Sequence, residues 1–427
     1  MTRTQPLTPT LPTLPTMSTT QLSELMLDVA TELAERTDHN GAALLPTMAA
    51  LSRSMGLVGR SVGLGYAGAW QHTAAPARRP PACRRNAPPG TPEREATQER
   101  LFPMTMYGIR EDVPGPQWAS LFRTTWVAYR AWFTSEGIDQ RSDLATCQEA
   151  LERHMPELVS TWRRLVDLTG GNPLAARMLS LWNPPAFAPG CSQLVLDGPQ
   201  RLLVRNYDYD PTLFEQVVYS SRFGIRRVIG TGDCLWGLLD GMNDDGLVVS
   251  LTYGGRPGTG SGFAIPLVVR CLLETCVTVA DARTVLERLP VAAAYNLTIS
   301  DASSAPVTVF VAPDCAPEVF DTPLATNHRG IVPEYPEQAK RLRSVERQKT
   351  LQRLLETDAD AKHVAAEFLQ APLRNTAFSR GFGTLYTAIY RPDRGCVEYV
   401  WPEASWRRAF DSPTSSLEVV LREPLPA

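Results

Sequence analysis

Residues 187–211 read FAPGCSQLVLDGPQRLLVRNYDYDP: a glycine stands directly before Cys191, and an Arg-Asn-Tyr-Asp cluster, Arg205 to Asp208, follows on the next apolar run. Cysteine combines intrinsic nucleophilicity with a pKa that its surroundings can bring toward neutrality. A nucleophilic thiol needs a base, and histidine is the usual one. This chain has five histidines. His39 and His72 lie in the N-terminal stretch, His154 in a helical pattern and His363 in a charged run, which leaves only His328, beside Asn327, in a suggestive place. The alternative is an α-amine. Cutting the bond before Cys191 would free an amine of pKa about 7.7–8.0, able to take the thiol proton without any histidine. Gly190 suits such a cut, because it offers an unhindered carbonyl and a flexible backbone. A Gly-Cys step alone is more often a packed structural thiol.

The totals set the frame. A chain of 427 residues exceeds the usual limit of a single core, so one large domain with an extension, or two domains, is expected. A charged fraction of 20 % and a net charge of −3 give no basic excess for neutralising phosphates, which excludes nucleic acid as an expected partner. The eight cysteines form no CxxC pair, so neither a zinc site nor a disulfide framework is indicated, and a reducing compartment is expected. No apolar run reaches the length of a membrane span, and the expected location is the cytoplasm.

Residues 1–100 are expected to be a low-complexity or disordered extension, rich in Pro, Thr, Arg and Ala, with one possible short helix in TQLSELMLDVATELAERT. Residues 101–190 read as mostly helical. Trp118, Phe122, Trp126 and Tyr129 share a helix face over 117–135, one or two helices fill 143–168, and Asn172 with Pro173 opens another. From Cys191 the period changes to that of strands. CSQLVLDG and QRLLVRNYD form a hairpin, followed by VVYSS, RRVIGTG and GLVVSLTYGG. Helices return at 264–276 and 280–288, the latter capped by Thr278; strands recur at YNLTISDA, PVTVFVAP and LATNH; one long amphipathic helix is expected over 336–356 and a closing hairpin at GTLYTAIYRP and CVEYVWPE. Such blocks imply sheets between helical layers rather than alternating βαβ units.

The order of these stretches, Cys191 with its hairpin ending in RNYD, then DGMNDDGLVVSLTY, YNLTISDA, LATNH and RSVERQKTL, resembles the choloylglycine hydrolase and penicillin acyltransferase branch of the N-terminal-nucleophile hydrolases. The segment from GGRPGTGSG to YNLTISDA and the hairpin FGTLYTAIYRPDRGCVEYVW are similar to the acyl-coenzyme A:6-aminopenicillanic acid acyltransferase side of that branch. The resemblance covers about residues 101–427. It implies an α+β fold, a four-layer αββα sandwich of two antiparallel sheets, with residues 101–190 as a helical prosegment and 191–427 as the catalytic domain.

The resemblance also implies roles. Cys191 is the nucleophile and Gly190 the cleavage point; Arg205 steadies the thiolate and Asp208 holds the new α-amine. Tyr253 lends its backbone N–H and Asn327 its side-chain amide to an oxyanion hole, and Arg347 is the last charged member. The implied activity is hydrolysis of non-peptide linear amides through an acyl-enzyme after self-cleavage into α and β fragments. Acyl transfer from acyl-CoA or an amide to an amine is the alternative, and a non-catalytic binding relative a third. Neither metal nor cofactor is implied, and the partners are a small-molecule amide or acyl-CoA. GTGDCLWG at 230–237 lacks the Lys-Ser/Thr of a phosphate loop, so no nucleotide is assigned. GGRPGTGSG at 254–262 is expected to be a mobile, substrate-bordering loop. The triplet Asn296-Leu-Thr matches a glycosylation signal that has no meaning in a cytoplasmic strand.

Overall fold

The computed structural model of the chain describes residues 98–186, 190–198, 200–357 and 359–425. The expectations for residues 1–97 lie outside the described residues.

The segment expected to be helical opens on a strand, β1 (Glu99–Glu111), whose first residues fall at the end of the expected disordered extension. Pro103 disguised it, because proline within an apolar run argues against a strand. Helices follow as expected: α1 (Pro116–Phe133), α2 (Leu144–His154), α3 (Val159–Leu168) and α4 (Pro173–Leu179). Two of the starts have a capping side chain. Asp143 accepts the Thr146 N–H ahead of α2, and Asn172 accepts those of Leu174 and Ala175, with Pro173 filling the first position of α4.

Next come the hairpin β2 (Gly190–Leu196) and β3 (Leu202–Tyr209), then β4 (Val217–Ser221), β5 (Val228–Asp233), β6 (Gly237–Asn243) and β7 (Val248–Tyr253). The stretch read as a doubtful phosphate loop is thus the tight β5–β6 turn. Helices α5 (Ile265–Thr275) and α6 (Val279–Arg288) follow, the second opened by a reciprocal cap between Thr278 and Asp281. Strands β8 (Tyr295–Ser300), β9 (Val307–Ala312), β10 (Cys315–Phe320) and β11 (Leu324–Ala325) lead to α7 (Pro336–Arg341), α8 (Ser344–Glu356) and α9 (Ala361–Phe368). The single helix expected over 336–356 is therefore broken. Arg343 adopts a left-handed conformation, φ 51°, which ends one helix and starts the next. The chain closes with β12 (Thr376–Ala377), β13 (Phe382–Arg391), β14 (Cys396–Trp401), β15 (Ala404–Ala409) and β16 (Ser415–Pro424), so two strands follow the hairpin expected to be last.

One sheet has the order β10-β9-β8-β7-β6-β5-β4-β1-β16; the other runs β11-β2-β3-β13-β14-β15, with β12 beside β13. The first is mixed rather than purely antiparallel. Strand β1 runs antiparallel to β16 but parallel to β4, which the chain reaches from β1 only after α1 to α4, β2 and β3 and not through a hairpin. Helix α5, buried along nearly its whole length, packs on β6 and β7. Helices α8 and α9 cover the outer face of the other sheet through Leu351, Leu354, Val364 and Phe368, which meet Leu194, Val204 and Ile389. The result is an α+β, four-layer αββα sandwich. Helix α1 belongs to the same body, since Trp118 donates its indole N–H to the Leu235 carbonyl at 2.9 Å.

Candidate active site

The β2–β3 register sets the site. Gly190 lies opposite Asp208, Cys191 opposite Tyr207, and Gln193 opposite Arg205. Alternation along a strand then divides the residues between two faces. Cys191, Gln193, Arg205 and Tyr207 face the nine-stranded sheet, where Gln193 reaches the Ser250 carbonyl and the Thr298 hydroxyl. Ser192, Asn206 and Asp208 face the α8–α9 layer, where Asn206 donates to the carbonyls of Phe368 and Leu373.

Every polar atom of Cys191, itself fully buried, is held by a residue singled out from the sequence. Its Sγ lies 3.1 Å from Arg205 Nη2, its N–H donates to Asn327 Oδ1 at 3.0 Å, and its carbonyl accepts from Arg347 Nη1. Arg347 also donates to Asn327 Oδ1 at 2.6 Å and to the Ser192 hydroxyl at 2.7 Å, and lies 3.7 Å from the Asp208 carboxylate. Asn327 Nδ2 donates to the Tyr253 carbonyl at 3.2 Å, so Tyr253 joins the cluster through its C=O; the oxyanion role expected of its N–H is not what connects it here. The structure thus brings Cys191, Arg205, Asp208, Tyr253, Asn327 and Arg347 together around the Gly190–Cys191 bond.

Arg205 needs a counter-charge in this dry interior, and Asp240 supplies it at 2.7 Å. Asp240 also accepts from the hydroxyls of Tyr386 at 2.6 Å and Thr231 at 2.8 Å, and from Tyr390. The guanidinium lies over the Tyr207 ring, 5.0 Å from its centroid. Burial by itself would lower the Arg205 pKa, but Tyr386, Cys191 and Asp240 outweigh it and hold the group above its ordinary value. Burial pushes the Cys191 thiol up to about 11 against the pull of Arg205. Asp208 is likewise raised by burial, opposed by Arg347 and the Thr384 hydroxyl, which donates to it at 2.6 Å. The resemblance gives Asp208 a new α-amine to hold; in the uncut chain that amine does not exist, and burial is the larger influence on the carboxyl.

Two residues of this region had been passed over. Asn296, set aside as an irrelevant glycosylation signal, is buried, and its amide donates to the carbonyls of Thr326 and His328 on either side of Asn327, each at 3.1 Å. Asp240 heads DGMNDDGLVVSLTY, a stretch that carries the resemblance without giving Asp240 a role. The signal for both was a polar residue inside an otherwise apolar strand, which must find a partner when buried. In the glycine-rich loop at 254–262, Arg256 pairs with Asp314 at 2.6 Å and with Glu334 at 3.0 Å. Gly255, at φ +77°, leaves no space for a side chain: a Cβ there would lie 2.5 Å from the Asn327 carbonyl oxygen.

Gly190 is also required by a close approach. A Cβ on it would lie 2.1 Å from the Phe382 ring. Gly190→Ala should therefore slow any cleavage after residue 190, the overpacking costing about 1–3 kcal/mol. Adding Phe382→Leu should recover much of the rate, as followed by the disappearance of full-length chain on a gel.

Among the described residues, no group of three His, Cys, Asp or Glu side chains could hold a metal ion, and no helix is long and apolar enough to cross a membrane. A sandwich of two sheets between helical layers is the architecture of the N-terminal-nucleophile hydrolases. Within that class, residues 195–406 match the acyl-coenzyme A:6-aminopenicillanic acid acyl-transferase family. The match takes in Arg205, Asp208, Tyr253, Asn327 and Arg347 and begins just after Cys191.

Solved structures to which the chain is similar include three hydrolases. A mutant conjugated bile acid hydrolase from Clostridium perfringens is 13 % identical, with 53 % of this chain and 96 % of that one covered and a TM-score of 0.36. A Caenorhabditis elegans ortholog of N-acylethanolamine-hydrolyzing acid amidase is 18 % identical, with 47 % and 92 % covered and a TM-score of 0.36. Penicillin V acylase from Agrobacterium tumefaciens is 14 % identical, with 51 % and 84 % covered and a TM-score of 0.34. At that distance the likeness speaks for no particular activity. No match was found among curated proteins.

Proposed function

We propose that the chain cuts itself between Gly190 and Cys191 and then hydrolyses non-peptide linear amides through an acyl-enzyme on Cys191. The observation that carries this reading is the threefold hold on Cys191: thiol on Arg205, N–H on Asn327, carbonyl on Arg347. A structural thiol needs none of these contacts, whereas a residue that attacks its own preceding peptide needs all three of its polar groups placed.

In the first stage the Cys191 thiolate attacks the Gly190 carbonyl carbon. The C–N bond breaks as the nitrogen takes up a proton and becomes the α-amine, and water hydrolyses the thioester to leave a carboxylate on Gly190 and a free thiol. With its thiol held at about 11, the uncut chain has little thiolate at neutral pH. The thiolate fraction rises about tenfold per pH unit below that value, so self-cleavage should accelerate by about that factor per unit from pH 6 to 8.5. A stopped-time gel series over that range reads the slope; a flat profile contradicts it.

In the second stage the amine, lying where Asn327 Oδ1 now accepts the Cys191 N–H and near Asp208, takes the thiol proton. The thiolate attacks the amide carbonyl, the proton passes to the departing amine, and water releases the acid. Arg205 steadies the thiolate, Arg347 keeps Asp208 and Asn327 in place, and Asn327 with the Tyr253 N–H receives the oxyanion. Strand β1, paired on both sides, and the Trp118 contact would keep the α fragment bound after the cut. No step requires a metal or cofactor.

The family match favours acyl transfer as a second reading, because an amine replacing water at the acyl-enzyme uses the same residues. Purified protein should be offered penicillins, N-acyl amino acids, and acyl-CoA with amine acceptors, with acid, amine and new amide measured in each case. Free acid with every acceptor absent supports hydrolysis, and product only with an amine present supports transfer. Turnover undiminished by Cys191→Ala defeats both.

A further inference from the structure

His328 is the one histidine that the sequence places suggestively, and the proposed chemistry leaves it unused. Its ring is enclosed. Nδ1 lies 2.6 Å from the Ser344 hydroxyl, and Nε2 lies 3.0 Å from Gln348 Oε1. The direction of these bonds can be read from their far ends. Gln348 Nε2 donates to the Gly330 carbonyl at 2.9 Å, so its Oε1 is an acceptor and His328 Nε2 carries the hydrogen. Nδ1 is then the acceptor, and the Ser344 hydroxyl donates to it. The Ser344 oxygen in turn accepts the Asn327 N–H at 2.8 Å. Burial, aided by the Arg347 charge, pushes the His328 pKa below its ordinary value, which favours this neutral ring. Donation thus runs in one direction, from the Asn327 N–H through Ser344, His328 and Gln348 to the Gly330 carbonyl, while Asn327 Oδ1 takes the Cys191 N–H.

Helix α8 carries the partners of Asn327 and His328. Ser344 opens it, Arg347 one turn on holds Asn327 Oδ1, and Gln348 holds His328. The break at Arg343 is what allows this, since a helix continuing from α7 would carry no start at Ser344. Asn296 and Thr252 fix the strand side, both donating to the Thr326 carbonyl.

We infer that Ser344, His328 and Gln348 form a positioning relay that sets the orientation of Asn327, and through it the placement of the Cys191 nitrogen and of the oxyanion donor. The role is one of positioning, because none of the three touches Cys191. The inference rests on the reading of Asn327 given above, and Ser344→Ala is its simplest probe. On processed protein, Ser344→Ala should lower kcat by about tenfold to a hundredfold with KM changed less than about threefold, and Ser344→Thr, which keeps the hydroxyl, should restore most of it. The double variant Ser344→Ala/Asn327→Ala should be no slower than Asn327→Ala alone. Losses that multiply, or a Ser344→Ala enzyme with unchanged kcat, overturn the relay while leaving the enzyme reading intact. A second readout needs no turnover. Nitrogen-15 spectra of the His328 ring in the intact protein at neutral pH should show hydrogen on Nε2 and a hydrogen-bonded Nδ1 acceptor, the latter signal shifting in Ser344→Ala. A ring protonated at Nδ1, or unaffected by the substitution, overturns the relay even if the chain proves to have no activity.

Discussion

Cys191→Ala should leave a chain that remains full-length indefinitely and turns over no amide above background, the largest effect of any single substitution. The reason is that both proposed stages use the same sulfur. Removing the nucleophile of a cooperating catalytic set costs on the order of 10⁶-fold in comparable hydrolases, about the loss from removing the whole set. Stability should change far less, because the thiol is a small buried group whose loss costs about 1–2 kcal/mol of packing. Cys191→Ser separates the two stages. A hydroxyl is a weaker nucleophile than a thiolate, so it should cut slowly and leave an N-terminal serine with little amidase activity. A Cys191→Ala protein that still splits after residue 190 would show that another agent makes the cut.

Arg205→Met is expected to have the second largest effect, on two separable properties. Arg205 and Asp240 are both fully buried and 2.7 Å apart, and breaking such a pair from one side costs about 3–5 kcal/mol because the remaining charge has no counterpart. Tyr386, Tyr390 and Thr231 still donate to Asp240, which places the loss toward the lower end of that range. The same substitution removes the positive charge 3.1 Å from Cys191 Sγ, so the thiol should become harder to ionise and self-cleavage slower. Pairing Arg205→Met with Asp240→Asn should recover much of the stability and none of the cleavage rate. Denaturant titration and a cleavage time course read the two effects apart. Recovery of both together would assign Arg205 a purely structural role.

How much of this could be read from the sequence differs by residue. The placement of Cys191, Arg205 and Asp208 was legible because they lie on one hairpin, where strand period and turn fix it within a few residues, although the roles of Arg205 and Asp208 came from the resemblance. Asn327 and Arg347 were legible only through resemblance, since their approach to Cys191 depends on β11 pairing with β2 and on α8 lying across it. Asp240 and Asn296 were not assigned because each acts across a sheet or between layers, on partners far along the chain. Strand β1 was missed for a related reason. Its partners β16 and β4 are distant, and Pro103 contradicts the local pattern. The break at Arg343 had no local signal, because arginine is ordinarily a good helix former and rarely takes the left-handed conformation it has here.

The central claim is that Cys191 becomes an N-terminus. The most direct test is intact-mass measurement of freshly purified protein, followed by N-terminal sequencing of each component. The account predicts two components, one ending at Gly190 and one beginning with Cys191, that remain together under native conditions and separate on denaturation. A single full-length chain that persists through incubation at pH 8.5, with Cys191 unreactive toward thiol reagents, would contradict it.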